Sequence, residues 1–81
     1  MPRLAVDVML KSEILDPQGA AVARVLPQLG LTGVSDLRIG KHVEFVWEGA
    51  AEDAEDAARK MADAVLSNPV IEHYHVRVLE A

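Results

Sequence analysis

The sequence contains no cysteine, and this absence excludes disulfide bonds, thiolate metal ligands and cysteine nucleophiles. Cations are also scarce, since eight Lys and Arg face thirteen Asp and Glu and the formal net charge is −5. A chain of this sign repels nucleic-acid phosphates and anionic lipid, so we expect neither nucleic acid nor membrane as a partner. No apolar run is as long as a signal-peptide core or a membrane span. Together with the missing disulfides, this predicts a cytoplasmic protein.

Catalytic and metal-binding motifs are absent as well. The sequence has no phosphate loop G-x-x-x-x-G-K-[ST], no nucleophile elbow G-x-S-x-G and no zinc motif H-E-x-x-H. His73 and His75 are two residues apart on a predicted strand and point the same way, but no third ligand has a recognisable spacing. We therefore expect no catalytic residue, no metal site and no cofactor in this chain. A binding or assembly role is favoured.

What the chain does contain is enough apolar material for one small globular domain. Hydrophobic residues make up 51% of its 81 residues, which predicts a single domain over residues 1–81. A domain of this size buries only about 60–65% of the surface that its unfolded chain exposes, so the core is marginal. Oligomerisation is the expected remedy.

The first part of the chain predicts a strand and a helix. Large aliphatic residues stand at every second position, Leu4, Val6, Val8 and Leu10, and alternate with Ala5, Asp7, Met9 and Lys11, which is the period of a half-buried strand. Asp16 suits the helix N-cap, Pro17 the first helical position and Gly30 the C-cap. Pro27 is expected to bend the helix or end it early, because it lacks a donor. The apolar stripe of this helix consists of Val22, Val25, Leu26 and Leu29.

The remaining pattern predicts three more strands and a second helix. Residues 34–39 form the second predicted strand, and residues 40–41 suit a type II′ hairpin because glycine stands first. The third strand covers residues 42–48, and a helix with acidic first turns covers residues 51–66. The last strand covers residues 71–79.

The element order βαββαβ predicts an α+β fold, a ferredoxin-like two-layer sandwich with a four-stranded antiparallel sheet and two helices on one face. With right-handed crossovers, three connections meet at one end of this fold. We call this end the rim, and it consists of residues 11–19, 38–41 and 68–72.

Two surfaces of this fold are candidate binding sites. At the rim, basic side chains give a local positive charge in an acidic chain, which suits an acidic partner surface. The predicted partner-binding residues are Lys11, Asp16, Pro17, Gln18, Gly19, Arg38, Gly40, Lys41, Asn68, Pro69 and Glu72. The second surface is the sheet face turned away from the helices, where apolar and charged side chains are mixed as in a contact between subunits. Its predicted interface residues are Ala5, Asp7, Met9, Glu44, Val46, His75 and Arg77.

Three segments at the rim resemble one family in order and spacing. They are residues 14–19 (ILDPQG), residues 38–41 (RIGK) and residues 66–74 (LSNPVIEHY). Over essentially its whole length the sequence resembles the PurS family, the small subunit of bacterial and archaeal phosphoribosylformylglycinamidine (FGAM) synthase.

The resemblance implies a non-catalytic subunit of a ligase complex in de novo purine biosynthesis. In such a complex a glutaminase subunit releases ammonia from glutamine. A synthetase subunit uses ATP and Mg²⁺ to convert formylglycinamide ribonucleotide to the amidine. The small subunit is expected to bridge these two partners, to assist ammonia transfer and to form a homodimer or homotetramer.

The element order leaves one alternative open. A small ligand-sensing regulatory domain has the same βαββαβ order and would bind an effector at a dimer interface. Tight binding of an amino acid or nucleotide by the isolated chain would distinguish this domain from a bridging subunit.

Overall fold

The computed structural model describes all residues from 1 to 81 as a three-stranded sheet with two helices. The strands are β1 (Arg3–Leu10), β2 (Lys41–Val46) and β3 (Glu72–Glu80). The helices are α1 (Pro17–Val25), which continues into a 3-10 turn (Leu26–Leu29), and α2 (Ala54–Met61), which lies between a 3-10 turn (Ala51–Asp53) and a π-helical turn (Ala62–Leu66). No helix is long and apolar enough to cross a membrane.

The sheet has the order β2-β1-β3, and β1 is antiparallel to both of its neighbours. Val8 near the end of β1 lies opposite Lys41 at the start of β2. Leu10, at the end of β1, lies opposite Glu72 at the start of β3. The three connections therefore meet at one end of the sheet, and the predicted rim is confirmed.

The core lies between α2 and the inner face of the sheet. Leu4, Val6 and Val8 of β1 point into it and are almost fully buried. They pack against three alanines one helical turn apart, Ala54, Ala58 and Ala62. Alanine has no side chain beyond Cβ, so α2 lies close to the sheet and the core stays small.

The second predicted strand is absent. Residues 34–39 form no strand, so the sheet within this chain has three strands rather than four, and the ferredoxin-like sheet is not completed. The hairpin predicted at residues 40–41 is also wrong, since β2 begins directly at Lys41. The reason is a competing set of hydrogen bonds. Ile39 donates its N–H to the carboxylate of Asp16, and Arg38 donates to carbonyl oxygens of the preceding loop.

The first helix does not lie on the sheet as predicted. Its only buried residue is Gly19, and residues 17–39 project from the rim and return to it. We call residues 17–39 the arm. The α-helical part ends at Val25, and Pro27 lies in the 3-10 turn that follows, which confirms the expected early end. Gly30 closes this turn in the left-handed region, with φ of 78°.

The other predicted elements are confirmed within two residues. The helix predicted over residues 51–66 corresponds to one continuous helical run. The strand predicted over residues 42–48 is Lys41–Val46, and the strand predicted over residues 71–79 is Glu72–Glu80. Hydrophobic periodicity therefore located every element that packs on the core.

A substitution at Leu4 tests how far the stability of the protein depends on this small core. Its side chain is fully buried, so Leu4→Ala should lower the free energy of unfolding by about 2–5 kcal/mol through lost burial and a residual cavity. Leu15→Ala is the matched control, because Leu15 is 77% exposed. Its effect should stay within about 0.5 kcal/mol. Urea unfolding at one fixed protein concentration measures both, and equal losses would contradict this description of the core.

Candidate functional site

A cavity of about 320 Å³ opens at the rim. Its apolar side chains are Val8 and Leu10 from β1 together with Ile39, and polar groups complete the wall. The nine lining residues are Val8, Leu10, Asp16, Pro17, Gln18, Ile39, Gly40, Lys41 and Glu72. Apolar surface with a few polar groups is the usual composition of a binding cavity.

Asp16 holds the rim together. This buried residue is the N-cap of α1, and its Oδ1 accepts the N–H of Gly19 at 2.9 Å. Its Oδ2 accepts the N–H of Ile39 at 2.7 Å. These two backbone donors, Gly19 first, hold the pKa of Asp16 below its ordinary value. The carboxylate therefore stays charged, and it occupies the helix terminus that would otherwise attract an anion.

The guanidinium group of Arg38 makes its hydrogen bonds within the rim. Its Nη2 donates to the carbonyl oxygens of Lys11 at 3.0 Å and Ile14 at 2.8 Å. The N–H of Lys11 in turn donates to the carbonyl oxygen of Ile71 at 2.8 Å, which joins the loop after β1 to the turn before β3. The basic side chains expected at the rim are those of Lys11, Arg38 and Lys41. The side chains of Lys11 and Lys41 have no hydrogen-bond or ion-pair partner, and Lys41 lines the cavity.

The turn before β3 is stabilised by its own residues. The Oε1 of Glu72 accepts the N–H of Asn68 at 2.6 Å, and the N–H of Glu72 donates to the Asn68 carbonyl oxygen at 2.7 Å. The Oδ1 of Asn68 accepts the N–H of Val70 at 3.1 Å, which is the pattern of an Asx turn. The turn holds Glu72 at the cavity wall and leaves Val70 77% exposed.

At two positions of the rim, neighbouring chain segments lie so close together that only glycine fits. A Cβ at Gly19 would lie 2.5 Å from Oδ2 of Asp16 and 2.6 Å from the carbonyl oxygen of Leu37. A Cβ at Gly40 would collide with the sulfur of Met9 and the carbonyl oxygen of Val8. The close approach of these segments shapes the cavity wall.

The structure brings part of the predicted partner-binding set to one cavity. The predicted residues that line it are Asp16, Pro17, Gln18, Gly40, Lys41 and Glu72. The predicted residues that lie outside its lining, in the adjoining loops and first helical turn, are Lys11, Gly19, Arg38, Asn68 and Pro69. The sequence analysis missed Val8, Leu10 and Ile39, although the even parity of Val8 and Leu10 on β1 already placed them on the inner face. That these residues contact a partner stays a prediction.

The outward face of the sheet carries an ion-pair network across all three strands. His42 places Nδ1 2.5 Å from Oδ1 of Asp7 and Nε2 2.7 Å from Oε2 of Glu44. Arg77 Nε donates to Oδ2 of Asp7 at 2.8 Å, and Arg3 Nη1 donates to Oε1 of Glu44 at 3.2 Å. Both carboxylates therefore lie between two basic side chains.

The predicted interface residues all lie on strands at outward-facing positions. The strands β1 and β2 carry Ala5, Asp7, Met9, Glu44 and Val46, and β3 carries His75 and Arg77. Ala5 is fully buried within the chain and Val46 is 42% exposed. The sequence analysis missed Arg3 and His42, although His42 shares its strand parity with Glu44. A contact between copies on this face stays a prediction.

The family model of PurS, described as phosphoribosylformylglycinamidine (FGAM) synthase, matches residues 3–80. The chain belongs to the PurS family. A relative from Mycobacterium leprae, phosphoribosylformylglycinamidine synthase subunit PurS, is 46% identical over 76 residues, and the match covers 94% of each chain. This confirms the resemblance carried by the rim segments.

Solved PurS structures share the whole fold. The crystal structure of Methanocaldococcus jannaschii PurS, one of the subunits of formylglycinamide ribonucleotide amidotransferase, has a TM-score of 0.86 at 28% identity and covers 100% of this chain and 99% of its own. A chain in the structure of PurLQS from Thermotoga maritima has a TM-score of 0.84 at 35% identity and covers 96% of each chain. Matches of this extent include the arm as well as the sheet.

Gly19→Ala should destabilise the protein, although alanine is the better helix former. Its Cβ would lie too close to Asp16 and to the Leu37 carbonyl oxygen, and both are held by the rim. Gly33→Ala is the matched control, because nothing lies within 4 Å of its added Cβ. Thermal unfolding should show a lower midpoint for Gly19→Ala and an unchanged or higher midpoint for Gly33→Ala. Identical midpoints would mean that the rim has room for a side chain.

The ion-pair network predicts that stability depends on pH. Hydrogen bonds to Asp7 and then Glu44 raise the pKa of His42 above its ordinary 6.5. The same contacts with His42 lower the pKa of Asp7 below 3.8 and that of Glu44 below 4.5. The network therefore contributes fully between pH 4.5 and 6.5. Its contribution declines as pH rises through the raised pKa of His42, and as pH falls through the lowered pKa values of the carboxyls.

His42→Gln tests this dependence against His73→Gln, since His73 forms no ion pair. The loss in thermal midpoint caused by His42→Gln should be larger at about pH 6, below the ordinary pKa of histidine, than at alkaline pH, where the imidazole has lost its proton. His73→Gln should give the same small change at both. A pH-independent loss for His42→Gln would show that its charge contributes nothing.

Proposed function

We propose that this chain is the small, non-catalytic subunit of FGAM synthase in de novo purine biosynthesis. The observation that carries the proposal is the match to a chain of PurLQS over 96% of both chains, in sequence and in fold. The family match over residues 3–80 supports the same role. The chain would belong to a glutamine-dependent ligase complex without supplying its active site.

Its partners in this proposal are the glutaminase and synthetase subunits, with ATP and Mg²⁺ used by the synthetase. The chain would hold these two in register and assist transfer of ammonia from one to the other. Ammonia is mostly protonated at neutral pH and is then not nucleophilic, so a shielded passage preserves the reactive form. A small subunit without cysteine cannot supply the thiol nucleophile of a glutaminase, which agrees with such an assembly role.

The rim is the proposed docking surface for a larger partner. The half-buried Leu10 and Ile39 offer apolar surface above the buried Val8, and the exposed Lys41 lines the same cavity without an ion-pair partner. These groups would accept an aliphatic side chain flanked by a carboxylate, on a loop or helix of the partner. Asp16 and Arg38 would support this surface through the hydrogen bonds that they make within the rim.

The outward face of the sheet is proposed as the contact between copies, in a homodimer or homotetramer. Its charges compensate one another within the chain, so a second copy could cover them without leaving an unpaired charge. Val46, at the end of β2, supplies exposed apolar surface there.

Reconstitution of the complex tests the bridging role. FGAM formation by the glutaminase and synthetase should depend on this chain when glutamine is the nitrogen source. Formation from an ammonium salt should not, because that reaction needs no transfer between subunits. Unchanged glutamine-dependent formation without this chain would refute the proposal.

Lys41→Glu tests the rim within that assay. Reversing an exposed charge at the cavity should weaken binding to the partner by about tenfold, equivalent to about 1.4 kcal/mol. Glutamine-dependent activity at limiting subunit concentration should fall accordingly. Lys60→Glu is the matched control, since Lys60 is an exposed lysine of α2 outside the cavity. Thermal unfolding should show that both variants are folded. If they then lower the glutamine-dependent activity equally, the partner docks elsewhere.

A further inference from the structure

Two large aliphatic side chains of the rim are left in solvent. Leu15 and Val70 are each 77% exposed, and among the large hydrophobic residues of the chain only the terminal Met1 is more exposed. Neither of the two lines the cavity. A single exposed aliphatic residue is ordinary on a protein surface, so the question is whether these two belong to one surface. We call Leu15 and Val70 the anchor pair.

Backbone hydrogen bonds bring the two segments of the anchor pair together. The N–H of Ile14 donates to the carbonyl oxygen of Lys11 at 2.9 Å. The N–H of Lys11 donates to the carbonyl oxygen of Ile71 at 2.8 Å. Leu15 follows Ile14 in the chain and Val70 precedes Ile71, so each anchor is the neighbour of a residue bonded to Lys11. The anchor pair therefore belongs to one surface, with the backbone of Lys11 between the two segments.

The backbone on both sides of Leu15 is fixed by hydrogen bonds. The carbonyl oxygen of Ile14 accepts Nη2 of Arg38 at 2.8 Å. The next residue, Asp16, is buried, and its carboxylate caps α1 and accepts the N–H of Ile39. Leu15 is therefore presented from a segment that has little freedom to lose when a partner binds.

The segment that carries Val70 is fixed in a similar way. The N–H of Val70 donates to Oδ1 of Asn68 at 3.1 Å, and the N–H of Ile71 donates to the Asn68 carbonyl oxygen at 3.1 Å. Pro69 stands between them, and its ring fixes the φ angle. An aliphatic side chain on such a backbone loses little conformational entropy when it is covered, so burial of its surface contributes directly to affinity.

The charges of the rim indicate which kind of surface fits the anchor pair. Asp16, Arg38 and Glu72 are hydrogen-bonded within the rim. The charged side chains of the rim that have no hydrogen-bond or ion-pair partner are Lys11, Glu13 and Lys41. Together these three carry one positive charge, whereas the whole chain carries −5. An apolar pocket with a carboxylate at its edge complements this combination.

A second copy of this chain does not complement the rim. A two-fold contact between two rims would bring the same free lysines together from both copies. Like charges that face one another weaken an interface and disfavour that partner. The occupant of this surface is therefore a different protein.

We propose that Leu15 and Val70 anchor the rim to a larger subunit of the complex. Both enter an apolar pocket of that subunit, and a carboxylate at the edge of the pocket pairs with Lys11. The proposal rests on the bridging role and deepens it, because it assigns the contact to two residues outside the cavity. The cavity accepts a side chain of the partner while the anchors enter the partner, and this interlocking fixes the orientation of the two proteins.

Titration of this chain into the reconstituted complex is the first test. With Leu15→Ala or Val70→Ala, the concentration of chain that gives half-maximal glutamine-dependent FGAM formation should rise by about tenfold. The maximal rate at saturation should stay unchanged, because the substitution alters docking and not the chemistry. The same half-maximal concentration for the natural chain and both variants would overturn the proposal.

Two further measurements show whether the effect comes from docking. Leu15→Met keeps an apolar side chain of similar volume, so it should retain the natural half-maximal concentration. Light scattering should give the same mass for Leu15→Ala, Val70→Ala and the natural chain. A reduced mass for either variant would place the anchor pair in a contact between copies and would overturn the proposal.

Leu15→Asp and Ala51→Asp form a matched pair, because they add the same charge at opposite ends of the sheet. Ala51 is exposed and begins the second helical run, close to Trp47, whose N–H donates to the carbonyl oxygen of Pro2. Leu15→Asp should raise the half-maximal concentration by more than about tenfold. Ala51→Asp should leave it unchanged, and equal rises for the two variants would contradict the assignment.

The natural chain distinguishes this proposal from the bridging role. If glutamine-dependent formation needs the natural chain but both alanine variants support it equally well, the anchor pair is refuted and the bridging role stands. If glutamine-dependent formation does not need the chain, the bridging role fails and the anchor pair fails with it.

Discussion

The carboxylate of Asp16 is the contact on which the rest of the rim depends. It caps α1 through Gly19 and holds Ile39 just before β2, so it joins two segments that are 23 residues apart. Gly19 is required beside it, because a larger residue would meet the carboxylate itself. The cavity wall, the direction of the arm and the start of β2 therefore share one anchor. A change at this position would alter all three.

The small core explains why such an anchor matters. Seven hydrophobic residues are buried, and four of them are alanines, so the hydrophobic contribution to folding is modest. Many large aliphatic side chains, including those of the arm, remain exposed. A chain of this kind has its apolar surface distributed for contacts between subunits as well as for its own interior.

The sequence was sufficient for the elements whose signals are local. The alternation in β1 and β3, the helical spacing of Ala54 and Ala58, and the Asp16 cap each predicted what the structure contains. Residues 34–39 have a strand-like composition, but hydrogen bonds to distant residues decide their conformation, and no local pattern encodes them. The exposed position of α1 was missed for the same reason. The spacing of its apolar residues shows which face of the helix is apolar, but it does not show which surface covers that face. His42 was missed because its partner Asp7 is close only through strand register.

The position of the cavity has a consequence for regulation. The cavity wall and the base of the arm are built from the same residues, so a ligand that tightens one must change the free energy of releasing the other. Such coupling is reciprocal: contacts that fix the position of the arm also make the cavity wall more rigid, and a group bound in the cavity also fixes the base of the arm.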